Sequence, residues 1–109
     1  MEESPVTVEQ VREAQENLKT GLSHHESKAF SEAIESFKKA SSIHPFDTKH
    51  LEELQKKLKT GGFKKQQESI AYMGCAAVHL NRLIHELGED KRAEVPIDEQ
   101  LMNVFKEWN

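Results

Sequence analysis

The residues with the widest chemical range in this chain are its six histidines and its single cysteine, and their spacing decides whether they can act together. A zinc site on a helix needs two imidazoles on one face, which a four-residue separation supplies. His24 and His25 are adjacent, so a helix turns them about 100° apart, and His79 and His85, six residues apart, face different ways. His85-Glu86 lacks the second histidine of a helical metalloprotease motif. The histidines therefore read as structural or surface residues, with His24 the one expected to be packed, and no metal site is expected.

Cys75 lies in the run Met73-Gly74-Cys75-Ala76-Ala77. A nucleophilic thiol needs a cation or a helix start to lower its pKa, and a mid-helix position supplies neither. Small residues there suit a close helix crossing at Gly74. A lone cysteine also rules out an intramolecular disulfide and points to a reducing compartment. Gly61-Gly62 has no following Lys-Ser or Lys-Thr and so does not make a phosphate loop. With no nucleophile paired to a base, the chain reads as a non-enzyme with no cofactor and no small-molecule substrate.

Nineteen acidic against fifteen basic residues give a formal charge of −4, and the basic ones are scattered along helical stretches, which argues against nucleic acid as a partner. Lys56, Lys57, Lys59, Lys64 and Lys65, around the Gly-Gly pair, read as a solvated rim on two helix ends. Met1-Glu2-Glu3-Ser4-Pro5 lacks the apolar core of a signal peptide, and the longest nearly apolar stretch, Ala71 to Val78, is too short to cross a bilayer. The expectation is a cytoplasmic protein with no membrane role.

These side chains need elements to position them, and 109 residues support one domain, not two cores. Helical periodicity dominates and strand-like alternation is nearly absent, so the chain is predicted to be all-α. A first helix starts at Thr7, where Thr7 and Gln10 form a capping box, and runs to about His25 with Val8, Val11, Ala14, Leu18 and Leu22 along one stripe. A second covers Ser31 to Ile43, burying Ala33, Ile34, Phe37 and Ala40 before Pro45 stops it. A third spans Lys49 to Lys59 with Leu51, Leu54 and Leu58 on one side and Gly61-Gly62 as its stop.

The fourth and longest helix runs from Lys64 to Leu87 with Gly88 as C-cap. Its seam is expected at Ile70, Met73, Ala77, Leu80, Ile84 and Leu87, widened by Ala76 and Leu83. After the charged break at 88–92, Asp98 caps a short last helix with Ile97, Leu101, Phe105 and Trp108 on one face. That helix either folds back over the core, the favoured arrangement, or is offered to another protein. The expected organisation is a flexible N-terminus at 1–6, a helical domain at 7–88, a linker at 89–96 and a C-terminal amphipathic helix at 97–109.

Gly21, Phe30, Ala33, Phe37, Ala40, Ile43 and Pro45 together resemble a tetratricopeptide repeat, a 34-residue helical hairpin that fits between Ala14 and Asp47. Small Gly21 and Ala33 let two helices approach, while Phe30 and Phe37 fill the wedge between hairpins. Asn17 replaces the usual aromatic of the first helix, and His24 stands where Tyr is common. From Thr48 onward the pattern resembles a degenerate second repeat, with a lengthened helix capping the array. The resemblance implies antiparallel helical hairpins, about four helices plus the short C-terminal one.

It also implies a protein-binding adaptor or scaffold that takes a partner peptide or helix on a concave face of its first and third helices. Candidate contacts there are Asn17, Thr20, His24, Gln55 and Lys59. Leu18 and Leu22 stand where the family's chaperone-tail clamp carries polar residues, so that activity is not expected. A second resemblance is to the microtubule-interacting and trafficking domain, a three-helix bundle that binds helical motifs and would suit Phe30-Ser31-Glu32-Ala33-Ile34; Pro45 and the helix at Leu51 to Leu58 depart from it. The alternative function is a structural subunit of a multiprotein assembly, docking through the fourth helix and through Phe105 and Trp108 of the last. Neither partner identity nor oligomeric state is written in the sequence.

Overall fold

The computed structural model describes residues 6–43 and 49–108, with the side chains of His50, Phe105, Glu107 and Trp108 outside the described set. The fold is all-α: helices α1 (Val8–Glu26), α2 (Phe30–Ser42), α3 (Lys49–Gly61), α4 (Lys65–Leu87), the single turn α5 (Glu89–Arg92) and α6 (Glu99–Trp108), with no strand among the described residues.

The expected capping box opens α1. The Thr7 hydroxyl accepts from the Gln10 backbone N–H at 3.1 Å and Gln10 Oε1 accepts from the Thr7 N–H at 2.9 Å, so two otherwise orphaned amides are satisfied. Val11, Ala14, Leu18, Gly21 and Leu22 form the buried face. At the other end Ala29 N–H reaches the His24 carbonyl at 2.8 Å and Lys28 N–H the His25 carbonyl at 3.0 Å, a Schellman closure. It requires a left-handed residue, and Lys28 occupies it at φ 65°. The chain reverses there, and α2 returns antiparallel to α1 with Ala33, Ile34, Phe37 and Ala40 buried. A Cβ on Gly21 would fall 2.6 Å from Phe37 Cδ1, so the absence of a side chain sets how closely these two helices approach.

At the foot of α2 the chain turns extended at Ile43, whose carbonyl accepts a hydrogen bond from His79 Nε2 of α4 at 2.6 Å. Lys38 lies over Tyr72, and Ile43 meets His79, so α2 and α4 run parallel and need a crossover between them. That crossover is α3, which rests chiefly on α4 through buried Leu58 and half-buried Leu51 and Leu54. By contrast α1, α2 and α4 pack on one another pairwise, and the core lies between them.

Two expectations about α4 and the histidines change. Ile70, expected in the seam, is 39% exposed, whereas Ser69, Tyr72, Ala76, His79, Leu80 and Leu83 carry the buried line. Counting apolar residues alone misses this line, because it includes two polar groups satisfied from elsewhere in the fold. Ser69 Oγ lies 2.8 Å from His25 Nδ1, and His79 reaches the Ile43 carbonyl. The most buried histidine among the described residues is accordingly His79, at 7% exposure, while His24 is half-buried.

The C-terminal helix folds back, and α6 packs on α4 with Leu101 and Val104 buried. Along the way α1 grips the preceding segment at three successive positions. Arg12 donates to the Glu94 carbonyl at 3.3 Å, Gln15 Oε1 accepts from the Asp98 N–H at 3.2 Å, and Lys19 Nζ sits 3.1 Å from Asp98 Oδ2. Asp98 also caps α6 by accepting from the Gln100 N–H at 3.0 Å. The stretch expected as a linker thus contains α5 and buried Val95. Of the expected flexible N-terminus, Met1 to Pro5 lie outside the described residues and Val6 is buried in the core.

Candidate functional site

Where α3 crosses back over α2 and α4 it leaves an open cleft of about 440 Å³. Ile34 from α2, Leu58 from α3 and Tyr72 from α4 line it with apolar surface, each less than a tenth exposed. Around them stand Lys38, Gln55, Lys59, Lys65 and Glu68. The periodicity of α2 sends Ile34 inward one turn before Phe37, and the crossover brings Leu58 above it. Lys38 Nζ sits 5.5 Å from the centre of the Tyr72 ring, a cation–π contact that holds the ammonium at the edge of the cleft. Lys65 pairs with Glu68 at 3.4 Å and Lys38 with Glu35 at 4.0 Å, while Lys59 makes no ion pair among the described residues. Burial, reinforced by the Glu68 carboxylate, pushes the Tyr72 phenol above its ordinary value, so it stays protonated and able to donate.

The candidate contacts divide over the surface. Gln55 and Lys59 line this cleft. They also border a depression along α3 with Glu52 and Lys56. Asn17 belongs to a different depression, with Glu13, Glu35, Lys38, Lys39, Ser42 and Ile43, and its side-chain amide donates back to the Glu13 carbonyl at 3.0 Å. Thr20 is exposed and His24 half-buried on α1. The first and third helices do not pack extensively on each other, and among the described residues Asn17 lines a different depression from Gln55 and Lys59; Lys38 borders both the Asn17 depression and the cleft. Phe105 and Trp108 lie outside the set of described side chains.

Sequence reasoning passed over Lys38, Lys65, Glu68 and Tyr72 as cleft residues. The available signal was Tyr72, the only tyrosine of the chain, placed one turn beyond Glu68. Burial pushes the Cys75 thiol up, only partly offset by a hydrogen bond with Ser41, which makes it a poor nucleophile. Among the described residues no group of three or more His, Cys, Asp or Glu side chains is arranged to hold a metal.

The molecule is therefore defined as an all-α bundle carrying a lysine-rimmed cleft. No family model, no curated protein and no solved structure matches the chain. Among the described residues no helix is long and apolar enough to cross a membrane.

Proposed function

We propose that the chain is a protein-interaction module, an adaptor or scaffold working in the cytoplasm, that accepts a peptide or helix from a partner protein. The observation supporting this reading is the cleft between α2, α3 and α4, where three apolar side chains from three helices meet beneath polar groups that include Gln55 and Lys59. An apolar floor with a polar rim is the usual anatomy of a recognition surface. The close antiparallel approach of α1 and α2 at Gly21 supports the helical-hairpin version of this reading. Mutual packing of α1, α2 and α4 supports the three-helix version, and the families that the two versions resemble bind partner polypeptides.

The test places a photo-crosslinking amino acid at Gln55 and, as a control, at Glu89, which is exposed and remote from the cleft lining. Discrete protein adducts in cells at position 55 and none at 89 are expected. Equal, diffuse labelling at both positions would end the proposal.

A second reading, a subunit docking through α4, draws support from Ile70 and Val78, which are 39% and 43% exposed on that helix. Light scattering and thermal melting of the isolated chain separate the two. An obligate subunit aggregates or melts early, while a free adaptor is a monomer with one sharp transition.

A further inference from the structure

We infer that the partner segment received by the α2–α3–α4 cleft is an acidic amphipathic helix. This inference rests on the interaction-module reading above and names the chemistry of its ligand. The cleft is lined by three lysines against one glutamate, in a chain whose formal charge is −4, so its local sign is opposite to that of the whole molecule. The lysines do not lie along one solvated helix face. Lys38 comes from α2, Lys59 from α3 and Lys65 from α4, and they converge on the apolar floor of Ile34, Leu58 and Tyr72 from three directions. An incoming carboxylate meets Lys59, which has no ion pair among the described residues. It also competes with Glu35 and Glu68 for Lys38 and Lys65, whose pairs are partly solvated and cheap to exchange.

The secondary structure of the ligand follows from the walls. All three are helices, whose backbone groups are already hydrogen-bonded, so the cleft has no strand edge on which an extended peptide could satisfy its own amides. A helix brings its backbone bonds with it and needs only side-chain contacts: an apolar ridge at i, i+3, i+4 and i+7 for the floor, with Glu or Asp on its flanks for the lysines. The buried and still protonated Tyr72 phenol adds a donor for one of those carboxylates.

The experiment titrates the full chain, labelled with ¹⁵N, with four probes. These are a designed helical peptide with leucines in that ridge and glutamates flanking it, its counterpart with every glutamate replaced by lysine, polyglutamate, and single-stranded DNA. The acidic helix is expected to bind saturably and shift the amides of Lys38, Gln55, Lys59 and Tyr72. In the double variant Lys59→Glu, Lys65→Glu, which changes only exposed side chains, the acidic helix should bind about tenfold more weakly and the lysine peptide should gain. No saturable shift, shifts centred elsewhere, or equal binding of the lysine peptide would overturn the inference. Polyglutamate or DNA binding as tightly as the acidic helix would also overturn it, since charge alone would then account for the site. If these titrations fail while crosslinking at Gln55 still yields discrete protein adducts, only the chemistry of the ligand is lost and the interaction module stands.

Discussion

Lys28 shows how a local rule is bent at a single residue. The Schellman closure of α1 wants a residue without a Cβ at its left-handed position, and the chain places a lysine there at φ 65°. Left-handed backbone costs an L-residue roughly 1–2 kcal/mol, partly offset on replacement by the extra unfolded-state freedom of glycine. Lys28→Gly is therefore expected to stabilise the fold by roughly 1 kcal/mol, raising Tm by about 4–8 °C, whereas Lys28→Ala leaves it nearly unchanged. Gly21 poses the opposite case. Alanine there would gain about 1 kcal/mol of helix propensity, but its Cβ would be forced to 2.6 Å from Cδ1 of a fully buried Phe37. Overpacking of this kind costs about 1–3 kcal/mol, so Gly21→Ala should lower Tm in calorimetry. The same change should cost less in a Phe37→Leu background, because the two positions share one contact. The Thr7–Gln10 box could be read from the sequence, since it rests on residue types at fixed local spacing, and Gly21 could be placed at a close approach of α1 and α2, but its neighbour there is Phe37, which was expected in the wedge between hairpins. His79 could not, because the carbonyl that accepts its hydrogen bond belongs to Ile43, thirty-six residues away.

At the scale of elements, the existence and approximate bounds of the five longer helices followed from the sequence, as did the antiparallel return of α2; the turn α5, inside a stretch expected as a linker, and the neighbours that cover α4 did not. Periodicity showed that α4 needs cover along its length without saying which neighbour supplies it, so Ile70 was placed inward and Tyr72 overlooked. Among the contacts that dock α6, the Lys19–Asp98 pair is one that pH can release. Asp98 is held below its ordinary 3.8, first by the Gln100 backbone N–H and then by Lys19, while Lys19 is raised above 10.5 by Asp98. A lowered acid contributes stability that is present above its unfolded value and disappears as pH falls through the folded one. A raised base contributes below its unfolded value and loses that contribution as pH climbs past the folded one. This tether should therefore contribute fully between pH 3.8 and 10.5 and loosen as pH falls below the first or climbs above the second, modestly because both groups are partly solvated. Methyl resonances of Leu101 and Val104 should move below pH 3.8 before those of Leu18 do. Asp98→Asn, which keeps a capping side chain without the charge, should flatten that acid limb.

For the molecule as a whole, the open question in the sequence was whether the last helix belongs to the core or is offered to a partner. The fold places Val95, Leu101 and Val104 among the buried residues, with α1 holding the approach through Arg12, Gln15 and Lys19. Burial of a Val or Leu side chain is worth about 1.5–3 kcal/mol, so these three account for about 5–9 kcal/mol, comparable with the entire stability of many small domains. Deleting residues 94–109 should then lower Tm by well over 10 °C and uncover an apolar strip on α4. Light scattering should report concentration-dependent association of the shortened chain and not of the full one. A truncated chain that stays monomeric and melts at the original temperature would mean that α6 adds little to the core. The surface it covers on α4 would then be the better candidate for docking, ahead of the lysine-rimmed cleft between α2, α3 and α4.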